Sequence, residues 1–249
     1  MLIYNTKITE YADSTKITRY SKPIVSKEKS DSEKKKTKKV LSPAANQKHS
    51  MNVSLNRTKS TIYDLAKSNS WDWFVTLTFD TQLVDSTNYD TVVACIKKFI
   101  DRNRKTVSPD LVYLLVPEFH ADKEKFHFHG LFADVGYMQF VESGLSDHSG
   151  NLIYNISDWK YGFSTAIKIH DSKKVSGYIT KYITKECMIH TKNKRRYLSS
   201  KNIKRPQVSK INSPVDLIDI IETYQPDYIS SVSVPQAYNK ITYLEIDDK

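Results

Sequence analysis

Two apolar runs, residues 111–119 (LVYLLVPEF) and 125–133 (KFHFHGLFA), lie either side of a short polar stretch that includes ADKE. Each is too short for a packed helix and rich in branched and aromatic side chains, so they read as two buried strands of one antiparallel hairpin. Side chains alternate across a strand, so His127 and His129 point one way while Phe126 and Phe128 point the other. The phenylalanines enter the core and the histidines line an open face. If residues 121–124 form a four-residue loop, His120 pairs with Lys125 and Glu118 sits opposite His127. Two imidazoles about 7 Å apart along the strand then stand beside a carboxylate. Two histidines and one glutamate with open coordination positions suit a Lewis-acid cation, Mn2+ or Mg2+ rather than a closed structural zinc. An H-x-H pair alone is a common surface feature. The facing Glu118 gives it weight, and His120 takes its place as third ligand if the turn slips.

The surrounding pattern supplies the rest of the fold. SLNRTKSTIYDLAKSNS places Leu55, Ile62, Leu65 and Ala66 at helical spacing, with Asn69 as a stop. In WDWFVTLTFD, Val75, Leu77 and Phe79 alternate with Phe74, Thr76 and Thr78, which predicts a strand. TVVACIKKFI aligns Val92, Ile96, Phe99 and Ile100 on one helical face, and STAIKIH is a further strand after a long connection. KKVSGYITKYITKECM then reads as one helix. This order predicts an α+β class, a central antiparallel sheet with flanking helices.

Charge is uneven. Residues 1–60 hold 14 Lys+Arg against 5 Asp+Glu, and residues 181–210 hold 10 against one, while the whole chain carries +10. Such concentration favours a polyanionic partner, because neutralising phosphates releases counterions. Residues 1–50 read as a basic, disordered arm, with SKEKSDSEKKKTKK free of apolar periodicity. The second block offers Arg195, Arg196, Lys201, Lys204 and Arg205 to a DNA backbone near the reacting phosphate. No run of 18 apolar residues and no leader-like apolar core occurs, so a cytoplasmic protein without a membrane partner is expected. Two cysteines, Cys95 and Cys187, are too few for a disulfide framework.

In SGYITKYITKE, helical spacing sets Tyr178 and Tyr182 one turn apart, with Lys181 and Lys185 in a row beside them. A phenol is a weak nucleophile at neutral pH, and neighbouring ammonium groups and an activated phosphate favour its attack. Among 16 tyrosines, plain amphipathic packing is an equal reading until the other segments are counted.

Counted together, FVTLTFD (residues 74–80), FHFHG and YITKYITK resemble motifs I, II and III of the HUH endonucleases that initiate rolling-circle replication, in their expected order. The doubled Tyr-x-x-Lys frame resembles the two-tyrosine initiators of small single-stranded DNA phages and related plasmids. SLNRTKSTIYDLAKSN, YGFSTAIKI and RRYLSSKNIKRP are also similar to such proteins, so the resemblance covers residues 54–206, leaving 207–249 as an extension of unknown role. It implies a ferredoxin-like sheet with the H-x-H on a middle strand and the tyrosine helix above it. It also implies site-specific nicking and joining of single-stranded origin DNA through a 5′-phosphotyrosine, in a bacterial host. His127, His129 and Glu118 would be metal ligands, and Tyr178 and Tyr182 nucleophiles, flanked by the motif lysines Lys181 and Lys185. Either tyrosine alone, or both in turn, fits the frame. The freed 3′-hydroxyl would prime a host polymerase. With no GxxxxGK[ST] in the sequence, unwinding falls to a host helicase. The alternatives are an HUH transposase or relaxase-like strand transferase, and a non-catalytic DNA-binding repressor that uses the basic blocks around a structural histidine pair.

Overall fold

The computed structural model describes residues 1–26, 43–119, 124–171, 174–191, 193–234 and 237–247. Along the chain run β1 (Leu2–Glu10), β2 (Ser14–Ser26), α1 (Pro43–Lys67), β3 (Trp73–Thr78), α2 (Tyr89–Thr106), β4 (Val112–Phe119) and β5 (Phe126–Ala133). There follow β6 (Phe140–Ser146), β7 (Leu152–Ile156), β8 (Ser164–Lys168), α3 (Val175–Ile179), a 3-10 turn (Thr180–Tyr182) and α4 (Lys185–His190). The chain ends with β9 (Leu198–Ser199), β10 (Gln207–Ile211), α5 (Leu217–Tyr224), β11 (Tyr228–Val234) and β12 (Asn239–Asp247). The protein is of the α+β class, with two antiparallel sheets that fall in two compact units, residues 42–204 and residues 1–41 with 205–249.

In the first of these units the strand order is β6-β7-β8-β3-β5-β4-β9. The four central strands, β8-β3-β5-β4, with α2 connecting β3 to β4, have the order of a ferredoxin-like sheet, and β5 lies in its middle. Alternation on β5 divides the core in two. Phe126, Phe128 and Phe132 pack with Val92, Ile96 and Phe99 of α2. On the other face Leu131 and Ala133 pack with Leu55, Ile62 and Leu65 of α1 and with Ile179 and Ile183. The face expected to be open is thus covered along half its length, because α1 is amphipathic and needs an apolar face to bury against. The helices end and begin on their own polar residues. Asn88 caps α2 by accepting from the Asp90 and Thr91 amides, and at the end of α1 the Asn69 side chain donates to the Leu65 carbonyl.

Gly130 marks the tightest approach of β5 to β4. A Cβ there would stand 2.7 Å from the Leu114 carbonyl oxygen and closer still to the Leu115 side chain. Gly130→Ala must spread the two strands that carry Glu118 and the histidines. The expected cost is about 2 kcal/mol, seen as a melting midpoint lower by roughly 4–8 °C in thermal unfolding followed by circular dichroism. An unchanged midpoint would refute the close-packing argument.

Three expectations are corrected. The long connection before β8 is a β-hairpin, β6–β7, closed by Asp147, whose carboxylate accepts from the Ser149 and Asn151 amides. Of the irregular arm expected over residues 1–50, residues 2–26 are two paired strands and residues 43–50 open α1; most of the lysine-rich stretch, residues 27–42, lies outside the described residues. β1 and β2 are held by segments far along the chain. The sheet order β10-β1-β2-β12-β11 pairs β1 with β10 and β2 with β12, which no local pattern announces. The expected extension 207–249 therefore shares a sheet with the chain's beginning. Third, the expected single helix over residues 173–188 is broken. After the 3-10 turn Ile183 is extended (ψ 98) and buried, and Thr184 starts α4 afresh by accepting from the Cys187 amide.

Candidate metal and tyrosine site

The hairpin register sets the site. Glu118 on β4 pairs with His127 on β5, as a four-residue loop requires, and Thr78 and Thr76 of β3 pair with His127 and His129 from the other side. His120 lies outside the described residues. The Nε2 atoms of His127 and His129 are 2.9 Å apart, and Glu118 Oε2 is 3.1 Å from the first and 2.9 Å from the second. Their side chains are 12%, 11% and 26% exposed, sunk in the sheet but reachable.

Three electron-pair donors this close are held together by protons or by a shared cation. Two ligands at right angles around a cation ~2.1 Å from each stand about 3.0 Å apart, whereas tetrahedral angles would set them at roughly 3.4 Å. The observed triangle matches one face of an octahedron. These three residues are the group among the described residues able to hold a metal ion, and they are compatible with a divalent cation. Burial works against charge on Glu118, but hydrogen bonds with His127 and His129 outweigh it and hold its carboxyl down at about 2. Burial likewise lowers the pKa of His129, only partly offset by Glu118, which favours the neutral, metal-ligating ring.

Thr76 is a site residue that the sequence reading passed over. Its Oγ1 lies 3.1 Å from His129 Nδ1, a second contact that fixes the ring and directs Nε2 at the triad. Its signal was present: in an antiparallel sheet a polar residue at alternate positions of the neighbouring strand faces the same side as the histidines. Phe74, on that same face, contacts the rings of His129, Tyr178 and Tyr182.

Both tyrosines reach the triad by stacking. The Tyr182 ring lies parallel on His129 with centroids 3.7 Å apart, and its hydroxyl donates to the Tyr178 hydroxyl at 2.8 Å. Burial, then Tyr178 and Glu118, push the Tyr182 phenol well above the usual range. Tyr178 is 44% exposed, and the Lys181 ammonium stands 5.1 Å from its ring centre. The expected row of lysines does not run on to Lys185, because the chain straightens at Ile183 and Lys185 opens α4. Beside the triad, Thr78, Asp80, Gln82, Lys125, His127 and Phe163 help line a cavity of about 390 Å³.

The basic block divides. Arg196 is tied to α1, donating to the Ser54 carbonyl and hydroxyl and to Thr58 Oγ1. The Arg195 side chain is exposed, while its carbonyl accepts from the Tyr89 hydroxyl. Lys201 and Lys204 lie elsewhere from their expected place. Ser200 donates to the Tyr113 carbonyl and Asn202 to the Asp110 carbonyl, which puts both lysines beyond the Val112 end of β4. At the strand rise that is about 20 Å from Glu118. Arg205 falls in the other unit. Sequence proximity misled here because β9 runs antiparallel to β4 and carries the chain away from the triad.

Among the described residues no helix is long and apolar enough to cross a membrane. No curated protein and no solved structure matches the chain. Residues 72–187, which hold β3, the Glu118–His127–His129 triad and both tyrosines, match the family model of the replication-associated protein ORF2, and this match supports a replication initiator family for the chain.

Proposed function

We propose that the protein is a rolling-circle replication initiator that nicks and rejoins single-stranded origin DNA through a tyrosine. The observation that carries the reading is the stacking of Tyr182 on His129, with the Tyr178 hydroxyl one hydrogen bond further on. A divalent cation held by Glu118, His127 and His129, Mn2+ or Mg2+, would supply Lewis-acid polarisation of a phosphate oxygen. The chain's own residues do the rest. The Tyr178 oxygen attacks phosphorus and its proton passes to solvent. The new O–P bond replaces the bond to the 3′-oxygen, which leaves and takes up a proton. The products are a 5′-phosphotyrosine and a 3′-hydroxyl that a host polymerase can extend, with a host helicase opening the duplex.

The asymmetry between the phenols gives them different parts. The Tyr182 hydroxyl donates to the Tyr178 oxygen, and Lys181 lies over that ring, so charge developing on Tyr178 is met from two sides. Tyr178 then makes the first cut, and Tyr182 serves the second that ends a replication round. Exposed Arg195 is suited to the DNA backbone beside the site, with Lys201, Lys204 and Arg205 gripping it further away.

The test is direct. Single-stranded oligonucleotides spanning the origin, incubated with the protein and Mn2+, should yield a covalent protein–DNA adduct stable in denaturing gels and lost on chelation. Binding without any adduct over a library of origin-derived strands would leave a non-catalytic DNA-binding protein instead.

A further inference from the structure

The unit formed by the two ends of the chain has one face that no helix of that unit covers. α5 packs against the other face, where Ile220 meets Ile17 and Leu244. Alternation therefore gives the uncovered face to the row Lys210–Lys7–Thr18–Tyr243–Ser230 and, beside it, Val208–Thr9–Lys16–Glu245–Tyr228. Tyr20, which pairs with Ile241, continues the face on the other side of Tyr243.

This face joins rings to cations. Tyr4 and Tyr20 meet edge to face with centroids 5.7 Å apart. The Lys210 ammonium stands 5.1 Å from the Tyr4 ring centre and that of Lys16 5.3 Å from Tyr243. Lys22, in line with Tyr20 on β2, lies 5.6 Å from the Tyr238 ring. Tyr20 and Tyr243 are half-buried, standing in the sheet surface, and Tyr228 is 57% exposed. Burial and the neighbouring Tyr4 and Tyr243 hold the Tyr20 hydroxyl up at about 12, so the strip stays uncharged at neutral pH. Lys7, Lys16, Lys22 and Lys210 outnumber the carboxylates of this face, Glu245 and Asp247, which sit towards one end of it.

We propose that this face binds single-stranded DNA, its bases stacking on Tyr20, Tyr243 and Tyr228 while Lys7, Lys16 and Lys210 neutralise the backbone. A β-sheet surface with standing aromatic rings offers π-faces that any unpaired base can use, whereas duplex bases are stacked on one another and offer only their edges. Lysines between the rings are spaced to follow a phosphate chain rather than to close a pocket on a small anion. The site is separate from the triad and asks nothing of the tyrosine chemistry.

The experiment uses the full chain, without divalent metal, and a fluorescent dT12 strand read by anisotropy, with the dT12·dA12 duplex as comparison. Tyr20→Leu with Tyr243→Leu should weaken dT12 binding about tenfold or more and leave duplex binding unchanged. Tyr20→Phe with Tyr243→Phe keeps the rings and should stay within about twofold of the parent. Replacing Lys7, Lys16 and Lys210 by alanine should lower the slope of log K against log salt by about 2. Adduct formation in Mn2+ by the leucine variant, at strand concentrations that saturate it, reports separately on the triad. The proposal is overturned if the leucine variant binds dT12 like the parent, if both nucleic acids weaken together, or if the phenylalanine variant loses as much as the leucine one, which would show the rings to be structural.

Discussion

Replacing His127 and His129 together by alanine should abolish Mn2+-dependent adduct formation, a loss of on the order of 1,000-fold or more in rate, while single-stranded DNA is still bound. The donors converge at 2.9–3.1 Å, so no single one can go without opening the triangle. Glu118→Gln keeps size and a carbonyl oxygen but removes the charge that the cation would balance, and should raise the Mn2+ dissociation constant by about 10- to 100-fold, measured by titration calorimetry. Thr76→Val tests the support behind His129. It should weaken Mn2+ binding by a smaller factor and leave the melting midpoint close to that of the parent, because Thr76 fixes a ring orientation rather than filling the core. Full activity in the double alanine variant would end the metal reading. A weakened melting midpoint with activity intact would leave the triad a structural cluster.

The tyrosine prediction is the second large effect. Tyr178→Phe should cut first-strand adduct formation by on the order of 100-fold or more, since it removes the proposed attacking oxygen. Tyr182→Phe keeps the ring that stacks on His129 and removes only the hydroxyl that donates to Tyr178. Its first cut should slow by about tenfold, as expected for one lost hydrogen bond to a developing charge, while rejoining fails. The double variant should form no adduct. Single-turnover kinetics on a labelled strand, followed by mapping of the modified peptide, separates these outcomes. Equal adduct yield on both residues in the parent would mean that the phenols are interchangeable, and a fully active Tyr178→Phe variant would transfer the first cut to Tyr182.

A test that removes residues 1–45 to ask what a basic arm does has a different meaning in this fold. The deletion takes out β1 and β2, two of the three inner strands of their sheet. Point substitutions on the uncovered face pose the question without that loss.

What the sequence determined by itself was whatever depends on local periodicity. Alternation over residues 125–133 put His127 and His129 on one face and Phe126 and Phe128 on the other, and hairpin geometry brought Glu118 opposite His127. Spacing also marked α2 by Val92, Ile96, Phe99 and Ile100, all of them buried. Tertiary structure decided what local pattern leaves undetermined. The stretch SGYITKYITKE has helical spacing throughout, yet burial of Ile183 beside α1 and capping by Thr184 straighten the chain there, so Lys181 and Lys185 fall on separate helical turns. Lys201 and Lys204 follow the tyrosines in sequence but are carried along β4 to its far end. The pairing of β1 with β10 and of β2 with β12 joins residues some 200 positions apart. Strand propensity makes such segments ready to pair but cannot name the partner, since backbone hydrogen bonds are alike along every edge. The choice is made by side chains meeting across the finished sheet, as Ile17 and Leu244 do beneath Ile220.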